Sequence, residues 1–197
     1  MAFSVVLDAC VLYPFSICDI LLRLAERELY DLYWSERILE EVRRNLVKNR
    51  VTEEQAEKRI DAMRRTFPEA IVSEEAIARL EPAMANQEKD RHVLAAAVES
   101  PADAVLTFNI KHFPDEACEP HGIEVTHPDD FLLALYDLSP ATIEAAIDAQ
   151  VAALRKPQIP LSDLIDMLER AGVPVSPSRC EPATPEPDRA SESGTLA

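Results

Sequence analysis

FSVVLDACVLYP, residues 3–14, places a single carboxylate between two apolar runs. Residues 3–7 predict a short buried strand, and Asp8 follows that strand directly. A second apolar run begins at Val11, so core is expected on both sides of the charge. An Asp among such neighbours is hard to explain as a strand terminator alone, and Asp8 is therefore the first candidate functional residue.

Length and composition indicate one ordinary domain with an appendage. The 197 residues are 47% hydrophobic, which is enough to build a core. No apolar run is long enough to cross a membrane, and the N-terminus lacks the pattern of a signal peptide. The four cysteines form no C-x-x-C pair, which favours free thiols in a reducing compartment. We expect a cytoplasmic protein without a membrane partner.

The charge of this chain is unevenly distributed. A net charge of −16 argues against general affinity for nucleic acid, since phosphate binding depends mostly on Lys and Arg. However, 11 of the 20 basic residues lie between Arg23 and Arg65, where they nearly balance ten acidic residues. The sequence thus allows a local basic surface on an acidic body.

Strand and helix patterns alternate along the first two thirds of the chain. Strands are predicted at 3–7, 32–34, 70–72, 104–107 and 123–126, and helices at 18–29, 35–49, 52–67, 90–98 and 128–138. This alternation predicts an α/β fold with a mostly parallel sheet. With only three glycines, the chain lacks the glycine-rich loops of the common nucleotide-binding α/β classes.

The composition changes beyond Ser139. Two amphipathic helices are predicted at 141–154 and 161–171, and a Pro-, Ser- and Glu-rich stretch follows them. We therefore divide the chain into a main domain at 1–138, a helical extension at 139–172 and a disordered tail at 173–197.

Two further acids belong with Asp8. Glu41 is predicted early in a helix and Asp90 at the start of another, and such positions meet strand ends at the carboxyl edge of a parallel sheet. Convergent carboxylates repel one another unless a cation lies between them, and hard oxygen ligands suit Mg²⁺ or Mn²⁺. Phosphodiester hydrolysis is the natural chemistry of such a metal. Taken singly, Asp90 also suits a helix N-cap, and Glu41 a solvated helix surface beside Glu40.

Four segments together resemble the PIN-domain family of ribonucleases, best known from VapC-type toxins of bacterial toxin–antitoxin modules. The segments are VVLDACVLYP (5–14), WSERILEEV (34–42), DRHVLAAAV (90–98) and TFNIKHFP (107–114). The resemblance implies a three-layer α/β/α sandwich with a central parallel sheet and an acidic pocket at its carboxyl edge, to which this chain adds C-terminal helices.

The resemblance also implies roles for individual residues. Asp8, Glu41 and Asp90 match the family's first three acids, so they are expected to bind Mg²⁺ or Mn²⁺ and to be catalytic. The fourth catalytic position is Asn109, an amide where some members have an acid, which implies one firm metal site and weakens any second one. Expected substrate-binding residues are Thr107, His112, Arg43, Arg44 and Lys48, although the last three also suit a solvated charged face.

The implied activity is metal-dependent cleavage of single-stranded RNA. The implied partners are an RNA substrate, a cognate antitoxin protein and a second copy in a homodimer. A non-catalytic PIN-like binding module is an alternative that Asn109 and the acidic surface allow. A phosphatase of the HAD type also begins with a strand ending in Asp, but its second Asp is Cys10 here.

Overall fold

The opening apolar run forms the centre of a parallel sheet. The structure, a computed structural model, describes residues 3–153. Its strands are β1 (Ser4–Leu7), β2 (Asp31–Tyr33), β3 (Ala104–Leu106) and β4 (Glu124–Thr126), in the order β2-β1-β3-β4. All pairings are parallel, and every residue of β1 and β3 is buried. Burial on both faces explains why β1 reads as a continuous apolar run.

Helices connect and cover these strands. They are α1 (Ala9–Leu12), α2 (Phe15–Ala25), α3 (Glu36–Lys48), α4 (Glu53–Thr66), α5 (Glu74–Leu80), α6 (Arg91–Glu99), α7 (Asp115–Cys118), α8 (Pro128–Leu138) and α9 (Pro140–Ala153). Helix α6 packs on β1 and β3 and contacts α5, whereas α9 packs on both α2 and α8. The crossover from β1 to β2 and the crossover from β2 to β3 run in opposite directions along the sheet, so right-handed connections put their helices on opposite faces. The predicted α/β/α sandwich is confirmed.

Helix starts follow their predicted capping residues. The Ser35 hydroxyl accepts the Ile38 N–H at 3.1 Å and begins α3. Thr52 and Gln55 form a reciprocal capping box at the start of α4. The predicted 18–29 helix is shifted, because α2 begins at Phe15 after Pro14 and ends at Ala25. Beyond its end, Glu28 takes a left-handed φ of 58°, and the Leu29 N–H bonds to the Leu24 carbonyl.

The region between residues 68 and 80 differs from the prediction. The strand predicted at 70–72 is instead a 3-10 turn over Pro68–Ala70 and a single parallel bridge from Ile71 to Trp34. Trp34 is the residue directly after the end of β2, and the parallel pairing with Ile71 is limited to this one residue pair. Helix α5 was not predicted, although the Ser73 hydroxyl caps it by accepting the Ala76 N–H.

At the C-terminal end, α9 spans nearly all of the helix predicted at 141–154. The helix predicted at 161–171 and the tail at 173–197 lie outside the described residues, and the domain boundaries remain predictions. Cys10, Cys18 and Cys118 are free thiols, as expected, and Cys180 also lies outside. Among the helices of residues 3–153, none combines the length and apolar character that a bilayer crossing requires.

Candidate active site at the carboxyl edge of the sheet

Asp8 lies where the strand order reverses. Strand β1 has β2 on one side and β3 on the other, and the connections that follow β1 and β2 run in opposite directions along the sheet. Open α/β sheets bind ligands in the crevice at such a point, outside the carboxyl ends of the strands. Its backbone N–H bonds to the Leu106 carbonyl at 3.1 Å, and the residue is only 4% exposed. Its Oδ2 atom accepts the Thr107 hydroxyl at 2.6 Å and the Cys10 thiol at 3.1 Å. Two neutral donors, the Thr107 hydroxyl and the Cys10 thiol, thus orient the Asp8 side chain.

The same two donors tie β1 to the loop after β3. The Thr107 hydroxyl accepts the Asn109 N–H at 3.0 Å, and the Cys10 sulfur accepts the Phe108 N–H at 3.2 Å. Burial and the charge of Asp8 raise the pKa of Cys10 far above its ordinary range, so it remains a thiol. Sequence reasoning gave Cys10 no role in this site, since nothing in the single sequence distinguishes it from an incidental cysteine.

Thr107 was predicted to bind substrate, and its geometry assigns it another task. The side chain is fully buried and donates its one hydroxyl proton to Asp8. It has no proton left for a phosphate or a ligand water. Substrate binding by Thr107 stays a prediction, and the structure shows the residue orienting Asp8 through this hydrogen bond.

Glu41 faces the same edge from α3. Its Oε1 atom lies 3.4 Å from Nε2 of the fully buried His92 and 3.7 Å from Nη2 of Arg44. Neighbouring Glu40 faces away and pairs with Arg43 at 2.7 and 2.8 Å. Burial is the main cause that lowers the pKa of His92, which favours a neutral imidazole beside Glu41. Sequence reasoning missed this role of His92, although it lies only two residues after Asp90.

Asp90 enters from the 3-10 turn that precedes α6. Asp90 occupies the N-cap position of α6, but its side chain makes no capping hydrogen bond. Helix capping therefore does not explain this carboxylate. The turn is anchored by Asn86, whose buried amide donates to the Asp90 carbonyl at 3.0 Å. Asp90 Oδ2 lies 2.8 Å from Nδ1 of His112 and 3.9 Å from Nζ of Lys89, without hydrogen-bond geometry to either.

Asp8, Glu41 and Asp90 form one electrostatic unit, which we call the acidic cluster. Burial is the first cause that raises the pKa of Glu41, and the charge of Asp8 is the second. The pKa of Asp90 is raised by the same two causes in the same order, and Asp90 in turn raises the pKa of Glu41. Since like charges raise each other's pKa only at short range, residues separated by 82 positions in sequence converge here.

The remaining predicted residues divide into two groups. Asn109 and His112 lie at the cluster, Asn109 through its N–H bond to Thr107 and His112 through its contact with Asp90. Arg43 was predicted to bind substrate, but its guanidinium is held by Glu40 and by Glu53 of α4. Substrate binding by Arg43 stays a prediction, and in the structure its guanidinium bonds to these two carboxylates on the outer side of α3.

Arg44 and Lys48 complete the predicted basic set. Arg44 is 60% exposed and reaches toward Glu41, so it flanks the acidic cluster. Lys48 is exposed at the last turn of α3 and makes no ion pair with any residue of the described chain. Arg37, which was not predicted, adds a fixed positive charge that lowers the pKa of Glu41 while its guanidinium bonds to Glu81.

The donor set fits a hard divalent cation. Within residues 3–153, no group of three or more His, Cys, Asp or Glu side chains is arranged so that it could hold a metal ion. Mg²⁺ does not require one, because it usually keeps several waters and binds only one or two carboxylates. The buried Asp90 Oδ2 lacks a hydrogen-bond partner, and a cation would relieve the mutual repulsion of the cluster. Asp8 and Asp90 would hold the ion, with Glu41 facing it.

A separate open cavity lies away from the acidic cluster. A cavity of about 330 Å³ between α2 and α4 is lined by apolar side chains that include Leu22, Met63 and Phe67, with Arg59 among them. No member of the acidic cluster lines it. The acidic cluster therefore lies apart from this cavity.

Comparison with known proteins agrees with this arrangement. A family model described as "PIN domain" matches residues 4–111, which contain β1, β2, β3 and all the residues of the acidic cluster. This chain belongs to the PIN-domain family. A second model, described as "VapC50 C-terminal domain", matches residues 128–182.

One curated relative shares much of this sequence. "Putative ribonuclease VapC50" of Mycobacterium tuberculosis is 48% identical over 86 residues, which are 44% of this chain. The aligned segment spans 51% of that protein, or about half its length. No solved structure matches this chain.

Proposed function

We propose that this PIN-domain protein is a ribonuclease that uses Mg²⁺ or Mn²⁺ and acts as the toxin of a toxin–antitoxin pair. The observation that carries the proposal is the acidic cluster at the point where the strand order reverses. Its position suits ligand binding, and its three converging carboxylates suit a divalent cation. Similarity to a relative named as a ribonuclease supports RNA as the substrate.

The roles of the side chains follow from their surroundings. A bound Mg²⁺ would supply an activated water and charge stabilisation at the phosphoryl oxygen. Asp8 is pre-oriented for the ion by Thr107 and Cys10, and Asp90 offers its unpartnered Oδ2. Glu41, whose pKa is raised by burial and by the charge of Asp8, is suited to position the attacking water and to accept a proton from it.

The surrounding residues keep this set in place. His92 fills the space beside Glu41 as a neutral ring and therefore does not compete with the ion for the carboxylate. Asn109, at the fourth position, provides a carbonyl oxygen without charge, so a second ion would bind more weakly than the first. His112 is placed beside Asp90, where it can contact the RNA phosphate or hold the carboxylate in position.

Two other functions are less well supported. In a HAD-type phosphatase the second carboxylate acts as acid and base, but the Cys10 thiol at that place is protonated and bonded to Asp8. A non-catalytic binding module would not need three converging carboxylates, of which Glu41 and Asp90 have raised pKa values. We infer from the family that an antitoxin protein and a second copy of the chain are its protein partners, and that it acts in the cytoplasm.

Cleavage of labelled single-stranded RNA tests the proposal. The purified wild-type chain should cleave with Mg²⁺ or Mn²⁺ and stop when EDTA is added. Asp8→Asn should lose at least a hundredfold in rate, at about the magnitude lost with one charge-stabilising group, while its circular dichroism stays unchanged. Equal activity in the wild type and Asp8→Asn would refute the nuclease assignment. Phosphomonoester hydrolysis that depends on Asp8 would instead support the phosphatase alternative.

A further inference from the structure

We infer that Arg44 and Lys89 bind the RNA phosphates on either side of the cleaved bond, so that a single strand crosses the acidic cluster from α3 to the turn before α6. This inference rests on the proposed function and adds the path of the substrate to it. Lys89 was not among the residues predicted from the sequence.

The two cations flank the cluster from different elements. Arg44 lies on α3, with its Nη2 atom 3.7 Å from Glu41 Oε1. Lys89 lies in the 3-10 turn Glu88–Asp90, with its Nζ atom 3.9 Å from Asp90 Oδ2. Arg44 thus lies beside one member of the acidic cluster and Lys89 beside another.

Both side chains are free to take a ligand. Each is 60% exposed, and their contacts with the carboxylates are longer than hydrogen bonds. Arg37 and Arg43 differ in this respect, since each guanidinium is bound by both oxygens of a carboxylate. Arg44 and Lys89 therefore keep their donors available for phosphate oxygens.

Electrostatic repulsion between this acidic chain and RNA requires positive charge close to the acidic cluster. A chain with a net charge of −16 and three converging carboxylates repels a polyanion, and screening leaves only charges within about 8–10 Å effective. Positive charge next to the cluster offsets this repulsion where the phosphate must enter. Arg44 lies 3.7 Å from Glu41 and Lys89 lies 3.9 Å from Asp90, so both charges act at the cluster.

The test compares single and double removal of these charges with a matched surface change. Arg44→Ala, Lys89→Ala and the double variant are measured alongside Arg65→Ala, which removes an exposed cation of α4. Steady-state cleavage of a labelled single-stranded RNA with Mg²⁺ gives KM and kcat at several salt concentrations. Anisotropy of the same RNA with Ca²⁺ in place of Mg²⁺ gives binding separately from cleavage.

Each single variant should raise KM and the RNA dissociation constant at least about threefold, with kcat changed by less than about threefold. The slope of log affinity against log salt should fall by about 0.7 for each charge removed. Arg44→Lys, which keeps the charge, should restore most of the affinity, whereas a purely structural role of Arg44 would leave salt dependence unchanged. Arg65→Ala should behave like the wild type.

Several outcomes would overturn the inference. It fails if Arg44→Ala and Lys89→Ala bind RNA as well as Arg65→Ala does, or if the wild-type chain binds no RNA. A wild-type chain that binds RNA but does not cleave it refutes the proposed nuclease alone. In that case the binding measurements still decide whether the strand is held by these two cations.

Discussion

Two polar regions share α3 and differ in how their charge is compensated. The charged belt, formed by Glu40, Arg43 and Glu53, lies at the surface between α3 and α4. The acidic cluster lies one residue further along the helix, at Glu41. The hydrogen bonds from Arg43 hold the pKa of Glu40 below its usual range, whereas burial and Asp8 raise the pKa of Glu41.

This contrast teaches that position, more than residue type, decides what a carboxylate does. Glu40 has satisfied its charge within the protein, and an exposed pair of this kind contributes little to stability. Glu41 has no comparable partner, since its neighbours are two carboxylates, a neutral His92 and the loosely placed Arg44. The acidic cluster, whose carboxylates lack such a pairing, is therefore the region that we expect to bind a ligand from solution.

The largest expected difference between the two regions is in catalysis. Glu41→Gln should lower the rate of RNA cleavage at least a hundredfold, because it removes a charge at the reacting centre. Glu40→Gln, the matched change one residue away, should stay within about threefold of the wild type. Initial rates with saturating Mg²⁺ measure both variants. Equal losses would show that the two positions are not functionally distinct.

The orientation of Asp8 gives the next effect in size. Thr107→Val removes the hydroxyl that donates to the buried carboxylate, so it should lower the free energy of unfolding by about 1.5–3 kcal/mol and weaken Mn²⁺ binding. Thr107→Ser keeps the donor and should keep metal affinity. Urea denaturation and calorimetric titration measure the two effects. If Thr107→Val binds Mn²⁺ like the wild type, the hydroxyl does not orient Asp8 for an ion.

The pH dependence of stability should differ in sign between the two regions. A carboxyl whose pKa is raised by folding stabilises the protein fully below its unfolded pKa, and this contribution is lost as pH rises through the folded pKa. In EDTA, the stability gained by Glu41→Gln over the wild type should therefore grow as pH rises above about 4.5. Urea midpoints at a series of pH values measure this gain. A gain that is constant or shrinks with pH would contradict the raised pKa.

The smallest effect is expected at the charged belt. Glu40 has a lowered pKa, so its contribution to stability is present above its unfolded pKa and is lost as pH falls through the folded pKa. Glu40→Gln should cost less than about 1 kcal/mol at pH 7, because the side chain is 47% exposed. Urea midpoints at high salt should reduce the cost further. A cost above 2 kcal/mol would mean that the belt is structurally essential.

Periodicity and capping residues were sufficient to predict the sheet and most helices. The buried strands β1 and β3 are short apolar runs, and Ser35 and Thr52 carry local signals that need no tertiary context. Where tertiary contacts decided, prediction failed. The bridge from Ile71 to Trp34 depends on where β2 ends, and the end of α2 depends on the left-handed Glu28.

The site was predictable in its carboxylates and less so in its supporting residues. Asp8, Glu41 and Asp90 could be proposed as site residues from the sequence, because an acid at a strand end or a helix start is unusual in a core. The tasks of Cys10 and Thr107 depend on hydrogen bonds across 97 to 99 residues, which no local pattern contains. The same limit applies to Arg43, whose pairing with Glu53 of α4 no local pattern contains.

We propose that the acidic cluster is a divalent-cation site in which Asp8 and Asp90 hold the ion. Electron paramagnetic resonance of Mn²⁺ titrated into the wild type, Asp8→Asn, Asp90→Asn and Glu40→Gln at pH 7.5 tests it directly. We predict one tight Mn²⁺ in the wild type and in Glu40→Gln, and loss of this site in both Asp variants. Equal Mn²⁺ binding in all four proteins would contradict the claim.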